Sequence, residues 1–420
     1  MRVAFLLNDL QLSGGVGVVV QHASRLSQLE DWDLTLVLVR QEEGRSWRGY
    51  EHLPHLHVLS RDEAIGQRYD IAVATWWETA FSLFELPADR YAFFVQSLED
   101  RFYEPHEGER LGASLPLGLP VAFITEARWI ADTIAALRPD APAHLVPNGI
   151  DKEIFGPLAS VPNAAAGPLR VLIEGSPASW FKGVHSAIHA VGAMREPRHV
   201  TVVTGERAAL GEIAASAVDA VVGPLDHAEM AQLYEQTDVL LKLSSVEGMF
   251  GPPLEGFHRG ATCVVTPVTG YDEYVVHGWN GLITDWDDLR GTARQLDLLA
   301  RDRRLLAFLR TNALETARSW PSWRDSSELM AAALLAVRDA PAPDAAPAAA
   351  RLLADLRGGL ELNGKLLRER SEFERRARRI ERMLRHPLAR VLLRVRRNRA
   401  AQIALRPLRP IYRRTRSALR

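Results

Sequence analysis

The chain has 420 residues, 47% of them hydrophobic, with 51 Lys and Arg against 52 Asp and Glu and a formal net charge of -1. At about 150 residues per domain that leaves room for two cored domains and an appendage. A single cysteine, Cys263 in the apolar run ATCVVT, excludes an internal disulfide, and no run of about eighteen apolar residues exists to cross a membrane as a helix.

The first stretch, MRVAFLLNDL, is too briefly apolar for a signal peptide and reads as a buried strand, so a cytosolic protein is expected. RVAFLL, LTLVLV, IAVAT, YAFFVQ and VAFIT read as strands, with the amphipathic segment VVVQHASRLSQL after the first. A joint rich in Pro, Gly, Asn and Ala, VPNGIDKEIFGPLASVPNAAAGP, occupies residues 146–168. A second series opens directly after it: RVLIEG, VTVVTG, AVVG, VLLKLS, TCVVT and GLIT, with HAEMAQLYEQT helical among them. Continuous Val/Ile/Leu strands with helical crossovers mean parallel sheets covered on both faces. The fold class is therefore α/β, with two Rossmann-like, doubly wound domains over residues 1–150 and 151–320. SWPSWRDSSELMAAALLAV supplies a closing helix, 321–338, and a Pro/Ala linker, 339–350, leads to a basic helical tail, 351–420.

The near-zero net charge averages two unlike parts. From Arg351 onward there are 22 Lys and Arg against 6 acids, so the body before the tail is acidic. ARLLADLRGGLELNGKLLRERSEFERRARRIERML suggests a long helix able to pair with a copy of itself as a homodimer. Residues 380–420 then place Leu388, Val391, Leu392 and Val395 near one helical face among arginines. That pattern suits a helix lying on an anionic membrane surface, and a solvated tail is the plain alternative. Nucleic acid is the poorer partner, because the body is acidic and carries no recognition motif.

Two stretches hold candidate chemistry. In NDLQLSGGVG, after the first strand, Ser13, Gly14, Gly15 and Gly17 either let a backbone approach a phosphate or simply make a tight turn. The dinucleotide fingerprint fails at Val20, and the second strand ends in Val39-Arg40-Gln41 without the acid a ribose needs, so NAD has little support. The second stretch, VEGMFGPPLEGF, follows a strand. Gly251, Pro252 and Pro253 suit the first turn of a helix that Gly260 ends. Such a helix start holds a diphosphate well; Glu255 in it suits a ribose diol, and Glu247 before it faces what lies beyond the phosphates. The plain alternative is that the acids only complement the helix dipole. Cys263 reads as a buried strand thiol, since no flanking base is evident.

The two glutamates in EGMFGPPLE have the E-x7-E spacing, and this chain here resembles the retaining glycosyltransferases of family 4, which have the GT-B fold. VPNGID resembles that family's interdomain segment, and Lys182-Gly183 its phosphate-binding lysine. GPLDHAEMAQLYEQTDVLLKLSSVEGMFG and GATCVVTPVTGYDEYVVHGWNGLIT follow its C-terminal domain. The resemblance covers about residues 1–335 and is strongest over 146–290. YAFFVQSLEDRFYEP is similar to the subset acting on bacterial polysaccharides, rhamnosyltransferases included.

The resemblance implies two domains facing a cleft, a nucleotide diphosphate-sugar as co-substrate, no cofactor and no metal. Glu255 then holds the ribose, Glu247 contacts the transferred sugar, and Lys182 pairs with the diphosphate. Phe250, Gly251 and Leu254 belong to the nucleotide site, and Gly14 and Gly15 let the first domain close over the phosphates. Gln96 and Glu99 contact the reacting sugar or acceptor, or are structural. The family places an arginine about six residues before the lysine, where this chain has Ser176. Two cationic clamps become one unless Arg170, Arg207 or another basic residue substitutes, and each lost charge-assisted bond is worth roughly 1.5–3 kcal/mol. A metal alternative rests on the D-x-D spacings Asp31-Trp32-Asp33 and Asp285-Trp286-Asp287, the latter with Asp287 as a helix cap. The leading expectation is sugar transfer to a glycan or lipid-linked acceptor in bacterial surface polysaccharide assembly. Sugar-nucleotide hydrolysis or epimerisation, and an inactive scaffold that recruits partners through its tail, stand as alternatives.

Overall fold

The computed structural model describes residues 1–11, 13–40, 56–161, 167–211 and 214–341, together with 364–366, 368–370, 372–373 and 375–376. Two compact units divide the chain, Met1–Arg357 and Gly358–Arg420. The described residues of the second unit are helical. The membrane segment expected at 380–420 lies outside the described residues, and among those described no helix is long and apolar enough to cross a membrane.

The first unit holds two wholly parallel sheets. Seven strands make the first: β1 (Arg2–Leu7), β2 (Asp33–Leu38), β3 (His57–Ser60), β4 (Tyr69–Ala74), β5 (Ala88–Val95), β6 (Ala122–Thr125) and β7 (Ala143–Leu145), in the order β3-β2-β1-β4-β5-β6-β7. Six make the second: β8 (Leu169–Glu174), β9 (Arg198–Val203), β10 (Ala220–Val222), β11 (Val239–Lys242), β12 (Thr262–Val265) and β13 (Leu282–Ile283), in the order β10-β9-β8-β11-β12-β13. Each sheet reverses its strand order once, between β1 and β4 and between β8 and β11. The crevice beyond the carboxyl ends at such a point is where doubly wound folds bind ligands.

The unbroken apolar runs follow from cover on both faces. In β8, Val171 and Ile173 pack in one core with Ile188, Val191 and Leu296, whereas Leu172 between them packs in another with Leu254 and Phe257. Side chains alternate across a strand, so a strand covered on both faces reads as a near-continuous apolar run. The helix Gly14–Leu26 covers the first sheet through Val19, Ala23 and Leu26. The closing helix, Trp323–Asp339, packs on that same sheet through Met330, Leu334 and Val337. It is capped by Ser322 and Asp325, and its Ser327 hydroxyl meets His22 Nδ1 at 3.2 Å. The chain therefore crosses between the domains twice. The two crossings touch at Gly149, where a Cβ would lie 2.3 Å from the Trp323 nitrogen, and the Ile150 N–H bonds the Pro321 carbonyl at 3.1 Å.

Candidate active site

The carboxyl ends of the two sheets meet. Trp129 Nε1 donates to the Gly248 carbonyl at 2.9 Å, Arg101 to Thr269 Oγ1 at 3.0 Å, and the Arg128 N–H to Glu273 at 2.7 Å. Gly248 admits no side chain here, since a Cβ would lie 1.9 Å from the Gln96 carbonyl oxygen and 2.7 Å from Glu126 Oε1.

Lys182 ends a short 3-10 turn, Trp180–Lys182, after β8, and Glu247 stands in the loop after β11. Gly183, at φ 64, lets these loops touch; a Cβ there would lie 2.0 Å from the Leu243 carbonyl oxygen. The Ser245 N–H to Phe181 carbonyl bond, 2.8 Å, ties them together. Lys182 Nζ then donates to Glu247 Oε2 at 2.8 Å.

Two groups that sequence reasoning passed over extend this pair. Lys242 closes β11 with its side chain 1% exposed, and its Nζ lies 2.7 Å from Glu174 Oε2 and 3.5 Å from Glu247 Oε1. Glu174, Lys242, Glu247 and Lys182 thus form an unbroken row of alternating charge across the β8–β11 switch point. Burial opposes the charge on Lys242, but Glu174 and Glu247 outweigh it and hold the amine above the ordinary lysine range. Burial likewise opposes the charge on Glu247, and Lys242 with Lys182 overcomes it, holding this carboxyl below the usual glutamate range.

Glu255 lies in the helix Gly251–His258 and accepts from the Tyr234 hydroxyl at 3.2 Å. Burial, reinforced by the charge of Glu174, pushes it up to about 7. The helix start offers fewer donors than expected. Pro252 and Pro253 carry no N–H, and the Gly251 N–H turns back to the Met249 carbonyl at 2.9 Å. Phe250 and Leu254 are wholly buried, so their side chains form the wall behind the site, and Tyr274 bonds the Phe250 carbonyl. Gly260, at φ 80, stands just past the helix end.

On the first domain, the exposed Gly14 begins the helix capped by Ser13, and a Cβ on Gly15 would lie 3.3 Å from Gln96 Oε1. Gln96 donates to the Thr75 carbonyl at 3.2 Å, while its Oε1 is closed to solvent with no donor. Gln96 therefore stands between the glycine loop and Gly248. Glu99 faces the interior, 3% exposed, where it accepts the Trp77 N–H. Glu126, also missed from the sequence, directly follows β6, beside Gln96 after β5. It accepts the Met249 N–H at 2.8 Å and the Asn148 amide at 2.7 Å, and burial pushes it up to about 7.

Several expected residues lie elsewhere. Arg170 pairs with Asp238 at 2.6 Å near the amino end of β8, the wrong end of the strand to replace the missing arginine. Ser176 donates to Glu206 at 2.6 Å, so that place holds an acid and a hydroxyl; the exposed Arg207 adjoins it. Asp31 and Asp33 lie at the amino end of β2. The helix Leu289–Arg301 is capped by Asp288 and not Asp287, which takes the left-handed φ of 58. No three His, Cys, Asp or Glu side chains are grouped to hold a metal ion among the described residues. Cys263 is buried in β12, and burial pushes its thiol up.

Residues 168–302 match the family described as glycosyl transferases group 1. No curated protein sequence matches the chain. Among solved structures, sucrose-phosphate synthase from Thermosynechococcus elongatus is similar, at 15% identity over 80% of this chain and 98% of that one, with a TM-score of 0.64. HepE of Anabaena, in complex with UDP and glucose, is similar at 16% identity over 80% and 100%, TM-score 0.64. WaaG, a glycosyltransferase involved in lipopolysaccharide biosynthesis, is similar at 14% identity over 80% and 100%, TM-score 0.60. Two Rossmann-like parallel-sheet domains with their carboxyl ends opposed, and these neighbours, establish a GT-B fold for residues of the first unit.

Proposed function

We propose that the chain is a retaining, metal-independent glycosyltransferase that moves a sugar from a nucleotide diphosphate-sugar to a glycan or lipid-linked acceptor. The single observation that carries this is the Lys182–Glu247 pair, set at the β8–β11 switch point one loop from the helix that bears Glu255. The diphosphate takes Lys182, a point charge suited to a leaving group, and the ribose takes Glu255. Glu247, released on its Oε2 side, accepts from hydroxyls of the transferred sugar. The acceptor oxygen attacks the anomeric carbon as its bond to phosphate breaks, and the departing phosphate oxygen takes the acceptor proton on the same face. Nucleoside diphosphate leaves, and Lys182 neutralises its developing charge.

Gln96 and the Gly14–Gly15 helix start supply the first-domain wall, in which Gln96 Oε1 is buried beside Gly15 without a donor. The group 1 match over 168–302 and the UDP-bound HepE neighbour support a nucleotide-sugar donor, and the WaaG neighbour supports a role in bacterial surface polysaccharide assembly. The protein then works in the cytoplasm at the inner face of the membrane, held there by residues 380–420. Deletion of that segment abolishes binding to anionic vesicles; unchanged binding would remove this role from the tail.

A thermal-shift screen of nucleoside diphosphates and their sugars tests the donor. A ligand at a hundred times its Kd stabilises by about 2.7 kcal/mol, so the right donor stands clear of the others. No shift with any of them would refute the proposal. One observation favours a second reading, a scaffold without activity: Ser176 and Glu206 sit where the family has a cation. A protein that binds nucleotide yet yields neither transfer nor hydrolysis product would favour it.

A further inference from the structure

Lys242 has no part in the chemistry just proposed, yet its surroundings are costly. It ends a strand whose other residues, Val239, Leu240 and Leu241, are wholly buried. A buried ammonium is tolerated only where carboxylates compensate it closely, and a hydrophobic residue there would cost less. The Glu247 carboxylate is divided between two lysines. Lys182 holds Oε2 at 2.8 Å from a loop, with its side chain 28% exposed; Lys242 lies 3.5 Å from Oε1, beneath the site. One cation is reachable from solvent and the other is not.

A diphosphate draws Lys182 toward itself, which leaves Glu247, 8% exposed, with one fewer cation. A carboxylate so enclosed and unpaired takes up a proton, by a shift of about 1–3 pH units for a lost opposite charge. We infer that Lys242 is a positioning residue that keeps Glu247 ionised and aimed at the sugar while the diphosphate occupies Lys182. Glu174, the other partner of Lys242, keeps the amine fixed through its 2.7 Å contact. The inference rests on the proposed donor site for the departure of Lys182, but the division of Glu247 between two lysines does not. The titratable groups that face Glu247 are Lys242 from β11, Lys182 after β8, Glu126 at the end of β6, and Tyr274 beyond β12.

The test is a carboxyl ¹³C NMR titration of Glu247 in the full chain, assigned from the Glu247→Gln spectrum, with and without saturating UDP. In the native protein Glu247 stays ionised below the usual glutamate range in both states. In Lys242→Met its midpoint rises by about one pH unit without ligand and further with UDP, as the second cation is drawn off. Lys242→Arg restores the native midpoint. Lys242→Met with Glu174→Gln removes the stranded second acid and gives the same shift if the single variant does not fold. A Glu247 midpoint unmoved in Lys242→Met, with or without UDP, overturns the inference. An equal UDP-induced rise in the native protein overturns it also. Failure of UDP and every other nucleoside diphosphate to bind the native chain sinks the donor reading alone, because the ligand-free titration still judges Lys242.

Discussion

Replacing Gly248 by alanine tests whether the two domains must meet at this loop. The new Cβ lies 1.9 Å from the Gln96 carbonyl oxygen, and ordinary contact begins near 3.4 Å. Relief therefore takes a separation of about 1.5 Å, more than a close-packed contact can absorb. The tighter contact is with backbone, and the second is with the buried Glu126 carboxyl, which Asn148 and Met249 hold in place. The Trp129–Gly248 and Met249–Glu126 bonds, 2.9 and 2.8 Å, stretch or break with it. Together they are worth about 2–4 kcal/mol, one being neutral and one to a carboxyl group. Glu247, the adjacent residue, moves with the loop, and a misplacement of about 1 Å in a reacting group costs roughly a hundredfold in rate. Transfer measured as nucleoside diphosphate release should fall by about that factor. UDP affinity by calorimetry should change little, because Lys182 and Glu255 belong to the second domain. Each sheet should stay folded by circular dichroism. Native turnover in Gly248→Ala would refute the reasoning.

Lys182→Met removes the charge-assisted bond proposed to the diphosphate, and UDP affinity measured by calorimetry should fall by about 1.5–3 kcal/mol, or roughly 10- to 150-fold. Glu255→Gln tests the proposed ribose contact. With Glu255 raised to about 7, the native protein should bind UDP more tightly as pH rises from 6 to 8, and the glutamine variant should lose that part of the dependence. The same raised carboxyl favours folding when protonated, so its contribution is complete below about 4.5 and is lost as pH rises through about 7. A denaturant series in native and Glu255→Gln protein checks the sign. Arg310→Met leaves the Gly260 carbonyl without its 2.6 Å donor and Asp238 with Arg170 alone, and urea unfolding should show a loss of about 3 kcal/mol.

The parallel strands were legible because burial on both faces forces an unbroken apolar run, as in RVAFLL and RVLIEG. The strands not foreseen, β3 and β7, are edge strands. HVLS and AHL are partly exposed, and a strand paired on one side needs no continuous apolar face. The glutamate pair and Lys182 were visible as local motifs. Their mutual contact was not, because it joins residues 65 apart through the β8–β11 pairing. Lys242 did leave a signal, a lysine inside the apolar DVLLKLS, but nothing local says that Glu174 and Glu247 receive it. Arg170 looked available only while strand direction was ignored; it is four residues from Glu174, at the far end of β8. Asp287 differed from the observed cap by one residue, because a left-handed turn at Asp287 passes the capping role to Asp288.

The most direct measurement is a crystal structure with the nucleoside diphosphate that gives the largest thermal shift. The account predicts Lys182 Nζ withdrawn from Glu247 Oε2 and bonded to the diphosphate, with the ribose on Glu255 and Lys242 still between Glu174 and Glu247. A diphosphate bound elsewhere, with the 2.8 Å Lys182–Glu247 bond intact, would contradict it.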